Sequence, residues 1–281
     1  MTAVALISQL DIHRSPWQAR LPTTVFLLLA FAMSAAPARS ADANATTSRV
    51  IELFTSHGCS SCPSADAYLG ELLQEDPGLV ALEFHVDYWN SLVHGSAGNF
   101  VDPFSDAAWS ERQRRYSARP LAGRTGVYTP QVIIDGGYAT VGSDRRRIDR
   151  ALAIAPPPAP LIVIERDGDT LRIRVDRVRV GERSTRAAGE QPVPVPDIGE
   201  VALVRYLDTT RTAITGGENK GLDIVNHRVV TSLESLGRVD AAGGLLAVVA
   251  APGAGNEGCA VIVRQGDELA VLAGRLCPGA A

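Results

Sequence analysis

Two cysteines, Cys59 and Cys62, have the spacing of a redox pair. Cys59 and Cys62 lie between an apolar segment, 50–55, and a run of residues with helical apolar spacing. At a helix start, unpaired N–H groups and the helix dipole favour a thiolate over a thiol. A thiolate attacks disulfides, and a second thiol one turn away resolves the mixed disulfide. The pattern predicts a dithiol site with Cys59 as nucleophile and Cys62 as resolving thiol; the alternative is a static disulfide that fixes the helix start.

Three neighbouring side chains are candidates for supporting roles. Glu52 lies in an otherwise apolar strand, where a buried carboxylate would have a raised pKa and relay a proton to Cys62. Its alternatives are a solvent-facing position or an arginine pair. Asp87 and Trp89 follow the second predicted strand, which ends at the same sheet edge as the first. We expect Asp87 to shuttle a proton and Trp89 to wall the site; alternatively, they cap a turn and fill the core.

Metal binding is the weaker interpretation of the cysteines. Structural zinc usually needs a second closely spaced Cys or His pair. Cys259 and Cys277 are too far apart in sequence to supply one, and the chain has no His-x-x-His. His57 either supports the thiolate electrostatically or is solvated. No ligand spacing is present among His85, His94 and His227. We therefore expect no metal, and no cofactor other than a redox-active disulfide.

The remaining two cysteines are expected to form a structural disulfide. Four cysteines permit three pairings, and the spacing favours Cys59–Cys62 with Cys259–Cys277. The chain-entropy calculation gives roughly 2 kcal/mol for the shorter loop and about 3 kcal/mol for the longer one. Residues 260–276 also predict a hairpin that would place Cys259 opposite Cys277.

The cysteines must be positioned by the elements around them, for which the apolar pattern predicts the order β-α-β-α-β-β-α. Cys59 and Cys62 then follow the first strand, and Thr129-Pro130 comes just before the third. This arrangement resembles the thioredoxin fold without its optional first strand and helix. The resemblance implies a cis bond before Pro130, contact with the cysteines and backbone free to pair with a substrate peptide. Thr129 and Pro130 thereby join the expected catalytic residues.

The second half of the chain has a different character. Residues 155–160 are mostly proline and predict a stiff linker, and beyond them the pattern is all β. Asp167-Gly168-Asp169 between two apolar runs indicates a hairpin. We therefore expect an α/β thioredoxin-like domain at 46–155, followed by a mostly antiparallel β-sandwich domain at 159–281.

The first forty or so residues are typical of an export segment. Arg14 and Arg20 precede an apolar run at about 25–32, and small residues follow it. The run is shorter than the ~20 residues that a spanning helix needs. We expect residues 1–43 to be a signal peptide and the mature chain to be periplasmic or secreted, where disulfides persist. Membrane attachment would follow only if the segment stays uncleaved.

The overall composition excludes one class of partner. The chain has 281 residues, 46% of them hydrophobic and 21% charged, with a formal net charge of -4. These values are typical of a globular protein, and the charge leaves no basic footprint for nucleic-acid binding. The arginines clustered at 112–119 and 145–147 are interpreted as solvated helix faces.

Several motifs resemble a family of secreted bacterial proteins known as domain of unknown function 1223. The motifs are Glu52-Leu53-Phe54-Thr55-Ser56, Gly58-Cys59-Ser60-Ser61-Cys62-Pro63, Phe84-His85-Val86-Asp87-Tyr88-Trp89 and Tyr128-Thr129-Pro130-Gln131, with Gly217-Glu218-Asn219 and Asn226 in the second half. The family is defined without a substrate, so the resemblance implies none.

The functional prediction is an extracytoplasmic thiol–disulfide oxidoreductase that acts on a protein or a small-molecule thiol or disulfide. Cys59 is expected to be the more exposed and more acidic thiol, with Cys62 shielded. Ser60-Ser61 lacks the histidine or proline that would indicate a redox potential. The rival prediction is a non-catalytic thioredoxin-like binding module with structural disulfides, because fold alone does not establish activity.

Overall fold

The computed structural model describes residues 48–92, 98, 100–155, 159–176, 198–239, 244–265 and 269–279. These residues belong to one compact unit, 42–281. The predicted signal peptide, 1–43, and the proline run 156–158 lie outside the described residues. Among the residues described, no helix is both long enough and apolar enough to span a membrane.

Four helices and twelve strands make up the described chain. The helices are α1 (Pro63–Glu75), α2 (Trp89–Leu92), α3 (Ala107–Ser117) and α4 (Arg145–Leu152). The strands are β1 (Val50–Thr55), β2 (Val80–His85), β3 (Ala122–Gly123), β4 (Gln131–Ile134), β5 (Tyr138–Val141), β6 (Leu161–Asp167), β7 (Thr170–Asp176), β8 (Ile198–Ala213), β9 (Asp223–Arg238), β10 (Leu245–Ala250), β11 (Glu257–Gln265) and β12 (Val271–Leu276).

Nine of these strands form one mixed sheet in the order β12-β11-β8-β9-β2-β1-β4-β5-β3. Near its centre, β1 pairs in parallel with β2 and in antiparallel with β4. The parallel pair is connected through α1, because parallel neighbours require a crossover connection. Phe54 lies opposite both Phe84 and Gln131. The ends of β1 and β2 and the start of β4 therefore meet at one edge of the sheet.

The two central strands are covered on both faces. This explains why β1 and β2 are buried along their whole length and are almost continuously apolar. Ile51 and Leu53 face one layer, where they pack with Leu69 of α1 and Ile148 of α4. Phe54 belongs to the opposite layer, to which α3 contributes. Successive residues of β1 thus point alternately toward α1 and toward α3.

A second sheet of three antiparallel strands has the order β10-β7-β6. Its Ile173 shares a hydrophobic core with Leu203 of β8 and Val261 of β11 in the main sheet. Strands β6 and β7 form the hairpin expected from the Asp-Gly-Asp signal, with Asp167 paired to Thr170.

The predicted boundary between an α/β domain and a separate β domain does not match the main sheet. Strands β8, β9, β11 and β12 all come from residues 198–276, yet they extend the sheet that contains β1. At the junction, Glu83 of β2 pairs with Val229 of β9. The outer edge of β2 would otherwise carry unpaired N–H and C=O groups, and β9 covers it. The expectation of a separate domain at 159–281 is therefore corrected.

The expected disulfide between Cys259 and Cys277 is present, with Cα atoms 5.3 Å apart. Strands β11 and β12 form the predicted hairpin, in which Ala260 lies opposite Leu276. The two cysteines come next in this register, and the Cys277 amide donates to the Cys259 carbonyl at 2.8 Å. The disulfide closes the open end of the hairpin.

Candidate functional site

The first pair of cysteines lies in the turn between β1 and α1. Cys59 and Cys62 are joined by a disulfide, with Cα atoms 5.4 Å apart. Helix α1 begins at Pro63, so Cys62 is its N-cap and Cys59 lies one turn before the helix. Proline suits the first helical position because that position has no intrahelical use for an N–H group. The residue at the helix start is therefore Cys62, as N-cap, rather than Cys59.

Both cysteines are almost fully buried. The exposed fraction is 1% for Cys59 and 0% for Cys62. The two exposed fractions are nearly equal in this disulfide-bonded form, so the greater exposure of the Cys59 thiol stays a prediction for the reduced protein. Only the two serines between the cysteines, Ser60 and Ser61, are exposed in this turn.

A loop from the other half of the chain lies against the CxxC turn. We call residues 214–222, which connect β8 to β9, the cover loop. Glu218 accepts a hydrogen bond from the Ser60 amide at 3.0 Å. The Asn219 side chain, itself buried, donates to two carbonyl oxygens of the turn at 2.8 and 2.9 Å. These contacts help to explain the burial of the disulfide, and the sequence pattern did not predict them.

The proline of the Thr129-Pro130 pair is preceded by a cis peptide bond, as the resemblance implied. Because Gln131 pairs with Phe54, Pro130 lies at the edge of the sheet from which the CxxC turn leaves. Trp89 donates from its indole N–H to the Thr129 hydroxyl at 2.7 Å. Trp89 thus contacts the proline loop, and it also packs against the hydrophobic core on the α3 side of the sheet, as its alternative assignment expects.

Asp87 forms hydrogen bonds with Ser110 of α3. Its carboxylate accepts a hydrogen bond from the Ser110 hydroxyl, and its own amide donates to that hydroxyl at 3.0 Å. Asp87 thereby links the end of β2 to α3. Beside it is a groove of about 520 Å³. The groove is lined by Tyr88, Trp89, Arg114, Val127, Tyr128 and Thr129.

Glu52 is buried and pairs with an arginine, so its predicted relay role is corrected. Its carboxylate accepts hydrogen bonds from Arg112 at 2.6 and 2.8 Å and from the Tyr116 hydroxyl at 2.6 Å. Burial and then the Glu52 charge raise the pKa of Tyr116. Glu52 alternates along β1 with Leu53, which packs on α1, so its carboxylate points away from the helix that Cys62 begins.

A different buried acid lies on the cysteine side of the sheet, and the sequence analysis did not single it out. Asp66 is in the first turn of α1, and its amide donates to the Cys62 carbonyl at 3.1 Å. Its carboxyl group accepts from the Thr55 hydroxyl at 2.6 Å. Burial, and then the charge of Glu83, raise the pKa of Asp66 well above its ordinary value of 3.8. The signal available in the sequence was an acid four residues after Cys62 in a helix that packs on the sheet.

Two histidines and an aspartate form a buried cluster behind the CxxC turn. Asp102 accepts from the His57 amide and from His85 Nδ1, both at 2.8 Å. Burial opposes ionisation of Asp102, yet His85 and these hydrogen bonds lower its pKa far below the ordinary value. Burial would likewise lower the pKa of His85, but Asp102 and then Glu83 outweigh it and raise the pKa to about 10.

The fold and the site define a mixed α/β protein with a disulfide at a helix start. The family described as "Protein of unknown function (DUF1223)" matches residues 50–264, and the chain belongs to that family. No curated protein matches this chain.

Two solved structures are similar to this chain. A crystal structure of a protein from Agrobacterium tumefaciens is 24% identical, with a TM-score of 0.61, over 84% of this chain and 96% of the other. The structure of HBP35 of Porphyromonas gingivalis is 13% identical, with a TM-score of 0.45, over 85% of this chain and 78% of the other. The first similarity is evidence for the fold alone.

The cover loop should control access to Cys59. Replacing Asn219 by alanine removes two hydrogen bonds worth about 1 kcal/mol each, which corresponds to roughly a 30-fold shift toward an open loop. In the reduced protein, iodoacetamide should then alkylate Cys59 about tenfold to 30-fold faster, as followed by peptide mass analysis. Asn256→Ala is the matched control, because Asn256 bonds Thr209 on β8 instead. Equal rates in both variants and the wild type would show that the loop does not limit access.

Asp66 should make stability depend on pH. A carboxyl group whose pKa is raised by folding takes up a proton on folding, so its contribution falls as pH rises above its ordinary value of 3.8. Asp66→Asn should therefore raise the free energy of unfolding at neutral pH, on the order of 1 kcal/mol, relative to the wild type. The gain should vanish toward about pH 4. Urea unfolding at both pH values measures it, and a gain independent of pH would contradict the assignment.

Proposed function

We propose that this protein is a thiol–disulfide oxidoreductase with a thioredoxin-like α/β region, in which Cys59 and Cys62 form the reactive couple. The observation that carries the proposal is the shared position of the CxxC disulfide and the cis-proline loop. Pro130 lies beside the end of β1, because Gln131 pairs with Phe54, and the disulfide lies in the turn that follows β1. The proposal assigns redox activity to this disulfide and substrate binding to the loop beside it.

The exchange proceeds through a mixed disulfide. A substrate thiolate attacks the sulfur of Cys59, the Cys59–Cys62 bond breaks, and Cys62 leaves with the electron pair. A second substrate thiolate then attacks the substrate sulfur and releases Cys59, so the substrate dithiol becomes a disulfide while the protein becomes a dithiol. The reverse sequence reduces a substrate disulfide. The substrate class is a protein or small-molecule thiol or disulfide.

Asp66 replaces Glu52 as the proposed proton donor to the leaving thiolate. Burial keeps the Asp66 carboxyl group protonated to higher pH than usual, and one helical turn connects it to Cys62. A protonated acid near a leaving thiolate lowers the cost of forming charge in a buried site.

The proposed substrate approach uses the groove beside the proline loop. This groove contains the aromatic side chains of Tyr88, Trp89 and Tyr128 and the charge of Arg114. Aromatic surface binds apolar parts of a polypeptide at a low entropy cost. Because Cys59 is 1% exposed, the cover loop must open before a sulfur of the substrate reaches it.

We propose that the site works outside the cytoplasm, in the periplasm or after secretion. Two disulfides in one chain favour an oxidising compartment. The proposed signal peptide, 1–43, would deliver the chain there.

One observation favours a second candidate function, a non-catalytic binding module with structural disulfides. Both sulfurs of the Cys59–Cys62 pair are buried, and catalytic dithiols usually expose the attacking sulfur. In this alternative, the cover loop and the turn form a permanently closed joint.

A trapping experiment separates the two candidates. Cys62→Ser removes the resolving thiol, so incubation with glutathione disulfide should leave glutathione on Cys59, visible as a mass increase of the intact protein. Cys59→Ser is the matched control and should accumulate no adduct. Adducts on Cys59→Ser alone would reverse the roles of the two cysteines. Adducts on neither variant would favour the binding module.

A further inference from the structure

Three buried side chains converge on one point behind the CxxC turn. His57 lies between the end of β1 and Cys59, His85 is the last residue of β2, and Asp102 lies in the segment before α3. One potential ligand atom from each lies within 4.8 Å of the other two. None of the three residues is more than 2% exposed.

The outer ring nitrogen of each histidine faces an oxygen. His57 Nε2 lies 2.7 Å from the Asn226 side-chain oxygen, and His85 Nε2 lies 3.6 Å from the Glu83 carboxylate. Once a cation displaces the Nδ1 proton of His85, a proton on each outer nitrogen leaves a lone pair on each Nδ1. Metal-bound histidines usually donate their other N–H to a carboxylate or carbonyl oxygen, and His57 makes such a hydrogen bond to Asn226. Among the described residues, His85 Nε2 has no hydrogen-bond partner, because 3.6 Å is beyond hydrogen-bond distance.

The inner nitrogens both face the Asp102 carboxylate. His57 Nδ1 is 3.3 Å from one carboxylate oxygen and has no hydrogen-bond partner. His85 Nδ1 is 2.8 Å from the other oxygen. Zinc–nitrogen and zinc–oxygen bonds of about 2.0–2.2 Å place tetrahedral ligands about 3.3–3.5 Å apart. The 3.3 Å between His57 Nδ1 and Asp102 already fits two ligands of one cation. The 2.8 Å between His85 Nδ1 and Asp102 would lengthen by about 0.5 Å as the cation replaces a proton.

The surroundings suit a closed cation site. Phe104 packs edge-on against both imidazole rings, with centroids 5.9 Å from His57 and 5.5 Å from His85. Such an apolar wall lowers the local dielectric and strengthens the attraction between a cation and its ligands. Two imidazole nitrogens with one carboxylate favour zinc and its transition-metal neighbours over magnesium or calcium.

We propose that His57, His85 and Asp102 bind one divalent transition-metal cation, with zinc the best-matched ion. Asn226 orients the His57 imidazole by accepting a hydrogen bond from its outer nitrogen, and the Glu83 carboxylate lies 3.6 Å from the outer nitrogen of His85. The site is independent of the thiol chemistry proposed above, since none of these residues is a cysteine. It also departs from the expectation of no metal, which rested on spacing along the chain alone.

Zinc content measures the site directly. The tag-free protein, with both disulfides intact so that no thiolate is available, is unfolded in urea and refolded with zinc. Excess metal is removed by dialysis. Elemental analysis should find about one zinc per chain in the wild type and none in His57→Gln. Asn226→Ala should bind zinc about tenfold to 100-fold more weakly, in competition with a chelator of known affinity.

His227→Gln is the matched control, because His227 lies outside the cluster, beside Gly70 of α1. It should retain the zinc of the wild type. Refolded wild-type protein that contains no bound zinc, or equal zinc in the wild type and His57→Gln, would overturn the proposal. The cluster would then be a hydrogen-bonded network without a metal. If His57→Gln does not fold, the wild type and Asn226→Ala still decide: zinc must raise the melting temperature of the wild type more than that of the variant.

Discussion

The register between β1 and its two neighbours brings the CxxC turn, His85 and the cis-proline loop together. Thr55, the last residue of β1, is paired with His85, the last residue of β2. On the other side, Gln131 at the start of β4 pairs with Phe54. The CxxC turn, the histidine cluster and the cis-proline loop consequently emerge at one edge. A shift of one residue in either pairing would turn the buried side chains of β1 to the wrong layer.

The alternation of side chains along β1 separates two sets of buried charges. On the α3 side, Glu52 is satisfied by Arg112 and Tyr116. Removal of one partner from a buried pair costs about 3–5 kcal/mol, because the other charge is left uncompensated. On the α1 side, Thr55 donates to Asp66 beside the cysteines. The first set stabilises the packing of α3 on the sheet, and the second contains Asp66, the proton donor that we propose.

Local patterns predicted the local features. The CxxC turn after a strand, the Cys259–Cys277 hairpin and the Asp-Gly-Asp turn each depend on residues close together in the chain. Long-range features could not be predicted in this way. Glu218 accepts a hydrogen bond from Ser60 across 158 positions, and β9 pairs with β2. The sequence of the cover loop or of β9 does not indicate these partners. Glu52 and Asp66 are both acids in buried elements, and only the sheet's two faces distinguish their roles.

We propose that Cys59 and Cys62 form a redox couple, and a redox titration measures the potential of that couple. The protein is equilibrated in glutathione buffers of graded potential, alkylated and analysed by peptide mass. Cys59 and Cys62 should titrate together as a two-electron couple in the range of thioredoxin-like dithiols, roughly −120 to −270 mV, while Cys259–Cys277 stays oxidised. A Cys59–Cys62 disulfide that exchanges with glutathione in neither direction would contradict the account.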